Sequence, residues 1–373
     1  MRMFPLALVL VLGCGGGKDA DSGKNATTTA TFATYNAGLA ISFVTAARAR
    51  LPHTAEAIGA IDADIVCLQE VWEPDQVAAV AAAATDFPHQ FWPDASQITD
   101  PEPGCTPAEI ESLSTCLDLS CPDVCPDELV TCFLERCGFT FLGLSATCQS
   151  CVMANVGDDP DALLAACEEE EVKFAYGGSY GTGILSKHPL SEPVLEVLES
   201  TTNRRGVLHT VADVNGVDVD VYCTHLTANL YPLPYTGTAE DWAAEQGVQV
   251  DSMLAYIEAT RTSGNPMVLM GDMNNGPATG DAPATLPANW AKLSATGWEI
   301  PWVATGECTM CADNTLRGDD AVSYLIDHVL LDGFDVDSSE RIIDGTTSIE
   351  NCGEPLDAAY SDHYGVSVTA TSR

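Results

Sequence analysis

Apolar residues along the chain fall into short runs broken by polar and turn-forming residues, with three longer stretches in which apolar positions recur at helical spacing. The short runs predict strands at Thr31–Tyr35, Ile65–Leu68, Gly183–Leu185, Gly206–Val214, Val217–Thr224, Met267–Met270, Leu325–Leu331 and Tyr364–Thr369. The longer stretches predict helices at Thr45–Ile61, Pro74–Ala84 and Glu240–Thr260. Many short strands with interspersed helices indicate a mixed α/β domain built around sheets. No internal repeat is apparent.

Two segments depart from this pattern. Residues 1–13 place one Arg ahead of an apolar run from Phe4 to Leu12, too short for the ~20 residues of a membrane-spanning helix. It reads as an export signal. Val11-Leu12-Gly13-Cys14 resembles the bacterial lipoprotein box, which makes Cys14 the candidate lipidation site. Residues 14–30 are small, polar and non-periodic, as a flexible tether should be. The expected compartment is the cell envelope, on an outer-membrane or surface lipoprotein, with secretion as the other option. The second segment, about 99–171, carries nine Cys, many Pro, sixteen Asp/Glu and one base, Arg136. It reads as an insertion into a catalytic domain of residues 31–373, stapled by disulfides because it has too few periodic apolar residues for a core of its own. The Glu168–Glu171 run reads as a solvated helix end, with a calcium site as the other option.

Cysteine usage supports export. Of 15 Cys, Cys67 and Cys223 lie inside apolar runs and read as buried thiols. Apart from these and Cys14, twelve remain, including Cys308, Cys311 and Cys352, and they are expected to form disulfides of unspecified pairing. Zinc is the rival, because Cys148-x-x-Cys151 and Cys308-x-x-Cys311 have ligand spacing. The formal net charge of −39 argues against capture of nucleic acid by phosphate neutralisation, which needs clustered Lys and Arg.

Gly177-Gly178-Ser179-Tyr180-Gly181 matches the G-x-S-x-G elbow of serine hydrolases. That elbow needs a helix after it, whereas the following residues read as a strand ending in a Pro turn. A more coherent set is spread over the whole chain, each member at the end of a strand-like run: Asn36, Glu70, His225, Asp272, Asn274, Asp327, Asp362 and His363. Open sheets place their ligands at strand ends. Singly, each has a bland reading as a turn residue, a solvated carboxylate or a hydrogen-bonded histidine. Jointly, carboxylates with an amide oxygen are hard ligands suited to Mg²⁺, and two histidines supply a general base and a general acid. The chemistry this suggests is metal-assisted hydrolysis of a phosphate ester.

The blocks TYNAGL, IVCLQEVW, YGTGILSKHPL, VYCTHL, VLMGDMNN, LIDHVLL and SDHYGV, in that order, resemble the endonuclease/exonuclease/phosphatase superfamily. The resemblance implies an α/β four-layer sandwich of two packed β-sheets flanked by helices, here with the disulfide-rich insertion. It implies that Asn36, Glu70 and Asp362 form the principal Mg²⁺ site. His363 would be the base, oriented by Asp327. Asp272 and Asn274 would place the nucleophile and phosphate, with room for a second divalent metal. His225 would stabilise the pentacovalent phosphate or protonate the leaving oxygen. Within the superfamily the neutral sphingomyelinase branch looks closest, from the QEVW block, Ser186-Lys187-His188-Pro189, Arg205-Gly206-Val207 and Thr224-His225-Leu226-Thr227-Ala228.

This branch implies a phospholipase C-type activity on a phospholipid or other phosphodiester, with the membrane as partner through the N-terminal anchor. The alternatives are an extracellular nuclease on the same scaffold, then a phosphomonoesterase, then a non-catalytic surface protein that binds through the insertion. Secreted bacterial sphingomyelinases enter membranes by an exposed aromatic hairpin. The local candidates here are Asn229–Trp242 and Gly138–Leu144, whose plainer reading is loop and core packing.

Overall fold

The computed structural model describes residues 27–373, apart from residues 42, 94–102, 123, 126–127, 156–159, 169–178, 281 and 319. The segment read as an export signal, Cys14 and most of the segment read as a tether lie outside the described residues, as do Glu169–Glu171 and both margins of the insertion. No helix among the described residues is long and apolar enough to cross a membrane.

Two sheets make the body. The first has the strand order β10-β13-β1-β2-β4-β3 and the second β5-β6-β7-β8-β9. Their strands are β1 (Thr29–Asn36), β2 (Ile65–Gln69), β3 (His89–Phe91), β4 (Gly183–Ser186), β5 (Leu190–Leu198), β6 (Arg205–Val214), β7 (Val217–His225), β8 (Met267–Asp272), β9 (Asp327–Asp332), β10 (Phe334–Ile342) and β13 (Gly365–Ser372). A separate hairpin pairs β11 (Thr346–Asn351) with β12 (Glu354–Ala359). Two neighbouring pairs are parallel, β1 with β2 and β7 with β8.

Alternation along the central strands decides what each face meets, because successive side chains of a strand point to opposite faces. In β2, Ile65 and Cys67 join the layer between the sheets, with Phe32, Val221, Cys223, Val268, Met270 and Val368. Val66 and Leu68 point the other way, onto α1 (Ala47–Gly59) and α2 (Pro74–Ala83), among Ile58, Val80 and Phe87. The second sheet repeats the scheme: Tyr222 and Leu269 face α7 (Trp242–Thr260) and α8 (Pro287–Ser294), with Val250, Met253 and Leu293. The result is helix, sheet, sheet, helix, the four-layer sandwich expected from the motifs. The predicted strands and helices are present with shifted ends. Missed were β3, β5, β10, β11 and β12, most of which leave much of their length exposed and so carry little apolar signal.

Two expectations from the cysteines are corrected. Cys67 and Cys223 are bonded to each other across the two sheets, with S–S 2.06 Å and Cα–Cα 5.4 Å. Strands of different sheets bring them together, a juxtaposition that neither local run reveals. The insertion also has its own core. It folds as α3 (Pro107–Ser120), α4 (Leu129–Leu142), α5 (Ala146–Asn155) and α6 (Pro160–Glu168). Leu113, Leu117, Phe133, Phe141, Val152 and Leu163 are buried together there. The borrowed member is Trp242 of α7, with Leu230 and Leu233 packed at the edge, so part of the apolar surface that completes this core comes from distant sequence.

The remaining disulfides are Cys105–Cys148, Cys116–Cys137, Cys121–Cys132, Cys125–Cys352, Cys151–Cys167 and Cys308–Cys311. Both C-x-x-C motifs are thereby committed to disulfides, which leaves zinc without thiolates.

Candidate active site

Strand register gathers the predicted residues at one edge of the sandwich. His225 ends β7 and lies opposite Asp272, which ends β8; Asp272 in turn faces Asp327 at the start of β9. Across the gap between sheets, Asn36 ends β1, with Glu70 just after β2. Asp362 and His363 sit in the turn before β13. Glu70, His225, Asp272, Asn274, Asp362 and His363 all line one cavity of about 250 Å³. Asn36 and Asp327 stand directly behind it, fully buried and bonded to residues that line it.

A hydrogen-bonded chain connects them. The Asn36 amide nitrogen donates to Glu70 (3.1 Å) and to Asp272 (3.0 Å). Its oxygen accepts from the Gly38 N–H at 2.9 Å, which fixes which way the amide faces. Asp272 accepts from the Asn274 N–H (2.8 Å), while the Asn274 side chain donates to the Leu226 carbonyl. His363 Nδ1 meets Asp327 Oδ2 at 2.8 Å, leaving Nε2 for chemistry. His225 Nε2 lies 3.5 Å from Asp272 Oδ2.

The local backbone is bent to permit this. Glu70 and Asn274 have φ of 56° and 48°, left-handed conformations that non-glycine residues adopt at a cost of order 1–3 kcal/mol and that cluster at functional sites. Gly38 also has φ +56°, and a Cβ there would lie 2.5 Å from Asp362 Oδ1 and 2.6 Å from Ser361 Oγ. Only glycine lets the β1 loop come so near the Asp362 carboxylate.

Burial and crowding of like charges perturb these groups. Burial raises the Glu70 carboxyl, and Asp362 beside it adds to the rise; His363, Asn36 and Arg205 oppose it. Asp272 is pushed up to about 7 by burial and by Asp327. Burial alone would drive the proton off His363, but Asp327 and Asp362 outweigh it and hold the imidazole well above its usual range. His225 goes the opposite way, well below, because burial, Arg205 and His363 all disfavour its charged form.

The surplus of carboxylate is what a cation would relieve. Buried Glu70 Oε2 and Asp327 Oδ1 have no hydrogen-bond partner among the described residues, an arrangement that is expensive unless a donor or metal completes it. Asp272, Asp327 and His363 also offer ligand atoms within 4.8 Å of one another, although His363 spends its Nδ1 on Asp327. The oxygen-rich donor set with Glu70 and Asp362 fits a hard divalent cation.

Sequence reasoning missed the supports. Arg205, named there only within the Arg205-Gly206-Val207 resemblance, is buried in the cavity wall with its guanidinium 5.6 Å from the Trp72 ring. It is the one Lys or Arg among the described residues that line the cavity. On α7, buried Glu245, Gln246 and Gln249 hold the loops that carry Thr227 and Asn274. Three polar residues within one turn and a half of a helix were the available signal. Much of the remaining lining is apolar, with Val44, Trp72, Leu230, Leu233 and Trp242, interrupted by Thr202, Asn203, Thr227 and Glu245. Met153 comes from α5, so the insertion builds part of this wall.

Of the two membrane-penetration candidates, Asn229–Trp242 packs mainly against the insertion, with Tyr231 exposed, whereas Phe139 of Gly138–Leu144 is 96% exposed. The G-x-S-x-G match is a decoy: Ser179 Oγ accepts from the Gly181 N–H, and the strand β4 follows it where an elbow requires a helix.

Solved structures share the architecture. The beta toxin of Staphylococcus aureus with bound magnesium ions aligns with TM-score 0.54 at 13% identity, over 93% of this chain and 100% of that one. Sphingomyelinase C from Streptomyces griseocarneus gives 0.52 at 17%, over 92% and 99%. TDP2 of D. rerio complexed with a single-strand DNA product gives 0.53 at 15%, over 92% and 99%. At such identities the likeness is one of fold. No curated protein matches the chain by sequence. The Endonuclease/Exonuclease/phosphatase family model, however, matches residues 33–363 without leaving out any of the site residues from Asn36 to His363, and the chain belongs to that family.

Proposed function

We propose that the protein is an exported, divalent-metal-dependent phosphodiesterase that hydrolyses a lipid phosphodiester in the manner of a phospholipase C, with sphingomyelin as the first substrate to try. The observation that carries this reading is the meeting at one cavity of two crowded carboxylates, Glu70 and Asp362, with a histidine–aspartate pair, His363–Asp327. Of the three expected metal ligands, Glu70 and Asp362 would hold the ion, whereas Asn36 spends its amide oxygen on the Gly38 N–H and its nitrogen on Glu70 and Asp272, so that it would position the ligands. A second ion would fall to Asp272 and Asp327. A bound Mg²⁺ supplies Lewis acidity toward the phosphate and lowers the pKa of water, and its charge offsets the carboxylates that keep His363 protonated.

Asp327 fixes the ring of His363 so that Nε2 receives the proton of the attacking water. Asp272 and Asn274 orient that water and the phosphate. His225, whose surroundings favour the neutral imidazole, would donate a hydrogen bond to the phosphate or the leaving oxygen, and the departing alkoxide would take its proton from solvent. The lipid assignment is supported by the apolar half of the cavity, and a single Arg beside so much carboxylate disfavours a polyanion. Seven disulfides support an oxidising compartment. Cys14 would carry the membrane anchor.

The test is phosphocholine release from sphingomyelin liposomes with Mg²⁺ or EDTA, for wild type and His363→Ala. Release that needs Mg²⁺ and falls by about 10²–10⁴-fold in the variant is the expected result. No release, together with cleavage of DNA by the same preparation, would replace the lipid assignment with a nuclease.

A further inference from the structure

The Cys308-x-x-Cys311 motif closes on itself as a disulfide next to the cavity, where Met310 forms part of the wall. Between them, Thr309 is fully buried. Its hydroxyl oxygen accepts two consecutive backbone N–H groups, those of Ile326 and Asp327, each at 3.1 Å. Its carbonyl accepts the N–H of Tyr364 at 2.7 Å, and its own N–H donates to the Tyr324 carbonyl at 2.9 Å. One residue therefore grips the chain at Asp327 itself and at the position immediately after His363. These are the two sides of the 2.8 Å contact between His363 and Asp327.

We infer that Thr309 is a positioning residue for the His363–Asp327 pair and that the Cys308–Cys311 disulfide holds it in place. A ring closed over four residues leaves Thr309 little freedom, so its hydroxyl and carbonyl present a fixed pair of acceptors to two separate segments. Nothing else among the described hydrogen bonds joins the backbone entering β9 to the turn carrying His363 through one residue. Removing the hydroxyl orphans the buried N–H groups of Ile326 and Asp327, and the carboxylate drifts from the imidazole before the fold gives way. An aspartate displaced by a fraction of an ångström orients its histidine poorly, which lowers turnover more than substrate affinity.

The inference rests on the phosphodiesterase reading for its activity readout alone. The first measurement is the downfield proton NMR signal of the His363 Nδ1–H held by Asp327, recorded on the full chain. Thr309→Val and the Cys308→Ser/Cys311→Ser double variant are expected to broaden or shift it, whereas Thr309→Ser, which keeps the oxygen, restores it. The second is hydrolysis of bis(p-nitrophenyl) phosphate with Mg²⁺. Thr309→Val should lose about tenfold or more in kcat with KM within about twofold, with Tm lowered by only a few degrees, and Thr309→Ser should recover most of both. An unchanged signal and kcat in Thr309→Val would overturn the inference, as would an equal loss in Thr309→Ser or a loss that simply tracks Tm. If Thr309→Val does not fold, the double cysteine variant decides, and an unshifted signal there overturns it. If wild type hydrolyses no phosphodiester, the functional reading fails and the NMR signal still settles the role of Thr309.

Discussion

Neighbouring residues at the start of β9 show how strand alternation separates chemistry from support. Asp327 points toward the cavity side, while His328 points into the outer layer, where its ring stacks on Trp290 with centroids 4.7 Å apart. Its Nε2–H donates to the Asn275 carbonyl at 3.0 Å, and burial lowers its pKa to about 4. The unfolded chain takes up a proton at this histidine near pH 6.5, and the folded protein does not until pH approaches 4. Stability is therefore lost as pH falls through that window and gained as it rises. Between pH 7 and pH 5 this residue alone contributes a loss of about 2 kcal/mol. Urea unfolding of wild type and His328→Gln at the two pH values checks this: the variant should show the smaller pH dependence.

At the scale of elements, the two sheets are held face to face by apolar packing and by one covalent bond. Cys67 of β2 and Cys223 of β7 sit in the inter-sheet layer, within three residues along the chain of the proposed site residues Glu70 and His225 respectively. The bond keeps the two halves of the site, one on each sheet, from sliding against each other. Replacing both with Ala removes a link across 156 residues, and the expected loss is on the order of 2–5 kcal/mol in chemical denaturation. The local sequence favoured two separate thiols, since each lies in a run that is apolar for its own reasons. What joins them is the packing of one sheet on the other, which no spacing within either run encodes.

Across the whole molecule, the insertion is joined to the body by apolar packing, a Ser150–Thr236 hydrogen bond and a disulfide. Its core takes Trp242 from α7, and Cys125 is bonded to Cys352 in the turn of the β11–β12 hairpin. Because Met153 reaches the cavity wall, an insertion that moved would change the shape of the cleft. The Cys125→Ser/Cys352→Ser variant should leave the sandwich folded while limited proteolysis cuts the insertion faster than in wild type. Equal cleavage rates would show that apolar packing on α7 is a sufficient tether.

Read alone, the sequence determined the class of fold and singled out the polar residues that the sandwich gathers at one edge. Met267–Asp272 announces itself because a strand buried on both faces is mostly apolar, Val217–His225 because its apolar and polar residues alternate, and the polar residue closing each run stands out beside them. Exposed strands such as β10 and β11 were illegible because solvent tolerates any side chain on them. Tertiary structure alone decided how the site works. It turned the Asn36 amide toward two carboxylates, drove the two histidines to opposite protonation preferences, and set Arg205, Met153 and Thr309 around them. Those outcomes depend on distances between segments far apart in the chain and on how much water reaches them. Both are properties of the packed sandwich, and a linear pattern of residue types does not contain them.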